Sequence, residues 1–441
     1  MVQDSELLKR IYNAFDPFRP LEADDPAYVN CQKVRGDGDI LIQLGQAIVL
    51  SDQVTCQLYA GHRGAGKSTE LKRLKKFLES NQFYVVYFAA DEEDIDPEDA
   101  QHTDILLACT RHLLEALKDS ASPQRLVNWL KDRLQSLKDL ALTEVSVEDV
   151  TVEGQISQFG KISAVLKAAP STRQKIRQEV ETHTPSLIDA LNEFIIEAKC
   201  KLASKYSELV VIADNLDRIV PIFDEEGKRS NHDQIFVDRS EQLRKLKCHM
   251  IYTVPISMVY SDRATDLEDR FGTIQALPMI MVCTPDGKDY EPGLEKLKEL
   301  IAKRISKLDA NLPLEQVFQD DKVLKNLCLM SGGHVRNLML LMKNAVQSTP
   351  KLPISSSAVQ RAIAESRKPY RRAINDNEWS TLAKVYLSKE KPNNNEHRKL
   401  LLNRCILEYH SVIGSDIKPW HDIHPLIFDI EEFQKAMNRE K

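Results

Sequence analysis

Residues 61–69 read Gly-His-Arg-Gly-Ala-Gly-Lys-Ser-Thr, which fits the spacing Gly-x-x-x-x-Gly-Lys-[Ser/Thr]. This pattern constrains the fold strongly, because it works in one local setting: a strand must run into it and a helix must leave it. Both flanks comply. Residues 55–60 form a short apolar run, and Leu71, Leu74, Phe77 and Leu78 repeat with helical spacing. Glycines let such a loop curl so that successive N–H groups converge on phosphate oxygens. Lys67 brings a charge to the β- and γ-phosphates, the Ser68 hydroxyl is a magnesium ligand, and Thr69 reaches toward the α-phosphate at the positive end of the helix dipole. The candidate nucleotide-binding residues are therefore Gly61, His62, Arg63, Gly64, Ala65, Gly66, Lys67, Ser68 and Thr69. ATP and Mg2+ are the cofactors that this chemistry implies.

Further apolar runs at 84–89, 209–213, 249–254 and 274–283 have the length of buried parallel strands, each separated from the next by room for a helical crossover. The expected fold class is α/β, a doubly wound parallel sheet of P-loop type. Residues 1–50 read as an N-terminal helical segment and 51–290 as the sheet core. The core carries an insertion at about 91–207. Within it Leu106, Leu113, Trp129 and Leu130 have helical spacing, whereas Val145, Val147, Val150, Val152 and Ile156 approach a period of two and predict a hairpin. The insertion reads as a structural extension or as a partner-binding element. Helical periodicity returns on both sides of Pro185, where the spacing predicts a break. Residues 291–350 read as a helical lid, with a turn at Ser331, Gly332 and Gly333. Residues 351–441 give helices followed by strand-like segments near 405–409 and 420–430, the order of a winged helix.

The second half of a phosphate site is an acid at the end of a neighbouring strand. Leu209, Val210, Val211, Ile212 and Ala213 bury a strand, and Asp214 follows where ligands bind in open α/β sheets. Asp214 is thus the second candidate magnesium ligand, the alternative being a strand-end cap.

Residues 59–71 (Tyr-Ala-Gly-His-Arg-Gly-Ala-Gly-Lys-Ser-Thr-Glu-Leu), 214–218 (Asp-Asn-Leu-Asp-Arg) and 331–338 (Ser-Gly-Gly-His-Val-Arg-Asn-Leu) together resemble the AAA+ and STAND-type ATPases. The nearest likeness is to bacterial AAA-family ATPases similar to origin-recognition and KAP-like proteins. It covers about residues 25–350, and the ending at 401–427 is in keeping with it. The resemblance implies that Val34 and Arg35 belong to the element packing on adenine, that Thr253 senses the γ-phosphate, and that Arg336 is the lid arginine reporting phosphate state. It also implies an arginine finger at Arg270, with Arg263 as the alternative. A buried strand threonine and surface arginines are the competing readings. Many hydrolytic relatives carry Glu after the strand-end Asp; this chain carries Asn215, so Asp217 becomes the nearest remaining acid for a general base.

Composition narrows the function classes. The formal charge of -6 and pI near 6.1 argue against a chain that coats nucleic acid throughout, although Lys368, Arg371, Arg372, Arg398 and Lys399 offer a local basic face. Eight cysteines stand singly, which fits a reducing compartment, and no run approaches the ~18 apolar residues of a membrane helix. The expected location is cytoplasmic. His421 and His424 lack a third ligand with obvious spacing, so the segment reads as a structural wing rather than a zinc site. The leading expectation is an ATP-driven switch that assembles as a homo-oligomer or controls an effector protein; the resemblance suggests antiviral defence as its setting. A DNA-binding ATPase using the C-terminal domain and a nucleotide-binding module with negligible turnover are the alternatives.

Overall fold

The structure is a computed structural model and describes residues 2–138, 170–224, 229–390, 395–414 and 416–440. The hairpin expected around 145–156 lies outside the described residues. The main elements, in chain order, are α1 (Val2–Ala14), β1 (Cys56–Gly61), α2 (Lys67–Ser80), β2 (Phe83–Ala89), α3 (His102–Leu117), α4 (Gln124–Lys138), α5 (Pro170–Leu202), β3 (Glu208–Asp214) and β4 (His249–Pro255). They continue with α6 (Ala264–Phe271), β5 (Gln275–Leu277), α7 (Glu291–Ser306), α8 (Asp321–Met330), α9 (Val335–Gln347), α10 (Ser356–Ala373), α11 (Glu378–Ser388), α12 (Asn395–Leu402), β6 (Ile406–Ile413), β7 (Asp416–Ile423) and α13 (Glu431–Glu440).

The sheet order is β2-β3-β4-β1-β5, so the phosphate-loop strand β1 is separated from β3 by β4. Strands β2, β3 and β4 are parallel, with Ala89 opposite Asp214 and Ala213 opposite Tyr252. Residues 209–213 of β3 are buried, which is why that strand reads as an unbroken apolar run instead of an alternating one.

Two departures from the sequence pattern have physical causes. Of the apolar run 274–283, only Gln275–Leu277 is a strand. Pro278 has no N–H to give a ladder, and beyond it the chain bonds elsewhere: Met279 N–H donates to Glu408 O and Met281 N–H to Val34 O, both at 2.9 Å. The break expected at Pro185 is also absent, and α5 runs through it. The Thr184 and Ser186 hydroxyls donate to the carbonyls of Val180 and His183 at 2.9 Å, and Val180, Leu187, Ile188 and Leu191 are buried on both sides of the proline. Tertiary burial of the apolar face holds the helix where local propensity alone would end it.

The chain divides into two compact units, residues 40–60 with 74–275, and residues 1–39 with 61–73 and 276–441. The first unit holds β2–β4 and most of β1, with Leu106, Leu113, Leu191, Ile195 and Ile251 fully buried in its core. In the second, the fully buried residues include Ile11, Phe15, Leu297, Leu327, Leu338, Met342, Leu407 and Phe433. Its C-terminal part is α10, α11 and α12 followed by the antiparallel β6–β7 hairpin, paired from Ile406 opposite Ile423 to Ile413 opposite Asp416.

Candidate nucleotide site

The loop 61–66 lies in the second unit, and that unit braces it from behind. The Lys67 ammonium, buried at 5% exposure, donates to Gly61 O at 2.8 Å and His62 O at 3.1 Å. The His334 ring accepts from Asn337 N–H through Nδ1 at 3.1 Å, so Nε2 carries the proton and donates to Arg63 O at 2.9 Å. Arg336 N–H donates to Gly64 O at 3.1 Å. Arg35 donates to Ala65 O at 2.8 Å and to Pro278 O. Every carbonyl from residue 61 to 65 is thus engaged by a donor of the protein itself, which takes away the lone pairs that would repel an anion. Helix α2 begins at Lys67, and the N–H groups of a helix's first turn have no acceptor within the helix.

Gly64 is required by close approach. Its φ is +93°, and a methyl group there would sit 2.8 Å from Arg336 Cβ and from His334 Cε1. Gly66, at φ +112°, faces open space, the nearest atom to such a methyl being Arg35 Nη2 at 3.9 Å.

Several residues expected at the ligand are engaged with protein groups. The His62 ring turns into the core and accepts Glu408 N–H at 3.2 Å; burial pushes its pKa down to about 3. Thr69 Oγ1 accepts Leu21 N–H at 3.1 Å. Arg336 Nε donates to Pro17 O at 3.1 Å, and its guanidinium lies 5.6 Å from the Phe18 ring centre. Val34 is buried and Ser68 half-buried.

The C-terminal ends of β2 and β3, in the first unit, carry the acids. The Asp214 carboxylate is fully buried; Tyr87 O–H donates to Oδ2 at 2.7 Å and Asn215 N–H to Oδ1 at 2.6 Å. Asn215 adopts φ +65°, in the left-handed region, and its side chain donates to Asp91 Oδ1 at 2.7 Å. The turn Leu216–Arg218 follows, with Asp217 at 7% exposure. Arg218 pairs with Asp91 at 2.6 Å. Thr253 Oγ1, fully buried, accepts Leu216 N–H at 2.9 Å and fixes the start of that turn. Arg270, on α6, donates to Ser240 Oγ at 2.9 Å, and Arg263 pairs with Asp238 at 2.8 Å and Asp266 at 3.1 Å.

Pattern reading missed Tyr87, Asp91 and His334. An acid two residues beyond the β2 run was a signal available for Asp91; Tyr87 and His334 gave none outside the contacts they make.

Among the described residues, no cluster of three or more His, Cys, Asp or Glu could hold a metal ion. His424, fully buried, caps the turn after it by accepting Leu426 N–H at 3.2 Å. No helix among the described residues is long and apolar enough to cross a membrane. The basic candidates of the C-terminal helices are largely paired: Lys368 with Glu365 at 2.6 Å, Arg371 with Glu432 at 2.6 Å and Lys399 with Glu378 at 2.7 Å.

No family sequence profile matches the chain, and no curated protein sequence does. Several solved structures align with it along nearly its whole length. The Cdc6p structure from Pyrobaculum aerophilum is 12% identical with a TM-score of 0.39, covering 97% of this chain and 98% of that one. The ORC2 protein of Aeropyrum pernix in its ADP form is 12% identical at a TM-score of 0.43, covering 97% and 98%. A Walker-type ATPase of Pyrococcus abyssi is 12% identical at a TM-score of 0.43, covering 96% and 99%. The P-loop character of this chain rests on its own strand, loop and helix.

Proposed function

We propose that the chain is a magnesium-dependent ATPase that acts as a nucleotide-gated switch. The loop 61–66 carries this reading: its carbonyls are tied back, its lysine is held at its base and a helix begins directly after it. These residues fit a polyphosphate. The open space at Gly66 accommodates a phosphate chain that a side chain would obstruct, and the first-turn N–H groups of α2 with the Lys67 ammonium supply donors and positive charge. Ser68, a hydroxyl one residue into the helix, would hold magnesium at the loop, and the sequence pattern adds Asp214, a buried carboxylate oriented by two donors, as the second ligand. The bound metal would supply charge neutralisation on the phosphates.

The chain's own contribution is positioning. Lys67 orients the phosphates, while Thr253 and Asn215 set the turn that presents Asp217, the acid proposed to take the proton of the attacking water. Binding energy would be conveyed to partners, either further copies of this chain or an effector protein, through the second unit, whose residues His334 and Arg336 grip the loop.

Titration with a fluorescent ATP analogue tests the reading. Lys67→Ala is expected to abolish binding, and unchanged affinity would refute the assignment. Light scattering should show a higher molar mass with ATP and magnesium than without; one fixed mass would remove assembly from the reading. The pairing of Lys368, Arg371 and Lys399 with carboxylates supports a protein partner over duplex DNA.

A further inference from the structure

A cavity of about 340 Å3 lies in the second unit between α9, α10 and the segments around residues 403 and 426. Its size is that of a small-molecule site. Leu341, Tyr370 and Leu426 line it with apolar surface, and Asn344, Glu365 and Arg404 with polar groups.

Arg404 is unusual in two respects. It sits at φ +61°, the left-handed position that ends α12, where glycine is the favoured residue. In addition, its guanidinium makes no hydrogen bond or ion pair among the described residues, whereas the carboxylate on the same wall, Glu365, is already paired with Lys368 Nζ at 2.6 Å. Arg404 is half-buried, lines the cavity and has no protein acceptor among the described residues for its five donors, which is the chemistry of an anion-binding group. The buried His334, His424, Tyr370 and Cys405 side chains lie within electrostatic reach of Arg404, and Glu365 is the carboxylate that lines the cavity with it.

We propose that this cavity binds a small ligand with an apolar body and one anionic group, a carboxylate or phosphate monoester, whose charge is taken by Arg404. The ligand would lie against α9, the helix whose first turn grips Arg63 and Gly64 through His334 and Arg336. The site itself does not depend on the ATPase reading.

Calorimetry on the full chain tests it with phenyl phosphate and phenylacetate as probes and benzyl alcohol as the neutral control. Saturable binding of at least one anion is expected, and which of the two binds more tightly distinguishes a phosphate from a carboxylate ligand. The same binding is expected in Lys67→Ala, where the phosphate loop no longer competes. Arg404→Gly, which suits the backbone angle, should keep the fold and weaken binding about tenfold or more, the effect of one charge-assisted hydrogen-bonded pair; Arg404→Gln should do the same. The proposal is overturned if neither anion saturates, if benzyl alcohol binds as well, if Lys67→Ala alone abolishes binding, or if the Arg404 variants bind as tightly as the wild type.

Discussion

Gly333→Ala separates conformational strain from steric obstruction when it is set beside Gly287→Ala. Both glycines hold positive backbone angles, φ +70° at Gly333 and +81° at Gly287, so each alanine incurs a backbone cost of about 1–2 kcal/mol. Their surroundings differ. A methyl group on Gly287 meets nothing within 4 Å, while on Gly333 it would lie 1.7 Å from the Ile280 carbonyl oxygen, a backbone atom that cannot swing aside. Gly333→Ala must therefore shift either the turn before α9 or the strand-like segment after Pro278. A further ~2 kcal/mol or more follows, as for other overpacked sites. For units of this size each kcal/mol moves a thermal midpoint by about 2–4 °C. Gly287→Ala should lower the midpoint by only a few degrees, and Gly333→Ala by about twice that or more. Because Gly333 sets where His334 and Arg336 meet the loop, the second variant should also weaken binding of the ATP analogue. Equal midpoint shifts in differential scanning, or undiminished nucleotide affinity in a folded Gly333→Ala protein, would refute this reasoning.

Burial holds His62 and His424 at pKa values of about 3 and His334 well below its usual range, so all three stay neutral in the folded chain. The unfolded chain takes up protons below about pH 6.5, so stability is full above that value and declines as pH falls toward 3, by up to about 1.4 kcal/mol per pH unit for each histidine. Denaturation midpoints measured from pH 7 to 5 should fall and should fall less in His62→Gln; a flat profile contradicts this. Asp214→Ala is expected to leave nucleotide binding partly intact while removing its magnesium dependence, and an equal magnesium response in both proteins counts against the carboxylate's role. Asp91→Ala and Asn215→Ala remove the same hydrogen bond from opposite ends, and Asp91→Ala also releases Arg218, so turnover in the double variant should be no lower than in Asp91→Ala alone; additive losses would show that the two act independently.

The strand–loop–helix order and the acid ending β3 were legible because each rests on short-range pattern: a glycine spacing, an apolar run and a residue type at a strand end. The shortened β5 was not, because its apolar residues are buried by non-sheet neighbours, and periodicity registers burial without its cause. Pro185 misled for the opposite reason, a local rule overridden by packing on both sides. Asp91 was invisible as a partner of Asn215 because 124 positions separate them and no local spacing links β2 to β3.

The arginine of the Gly-Gly-His-Val-Arg stretch shows how far a motif can point to the right place for a different reason. Its contact with the phosphate loop runs through the backbone: Arg336 N–H donates to Gly64 O, while the guanidinium reaches Pro17 O and the Phe18 ring. The neighbouring contact is made by a side chain, His334 to Arg63 O, whose tautomer is fixed by the first turn of α9. What the loop requires of this stretch is therefore the position of a helix start. Two consecutive left-handed glycines supply that, and with Gly333 pressed against Ile280 the start of α9 has little room to move without altering the bracing of the loop.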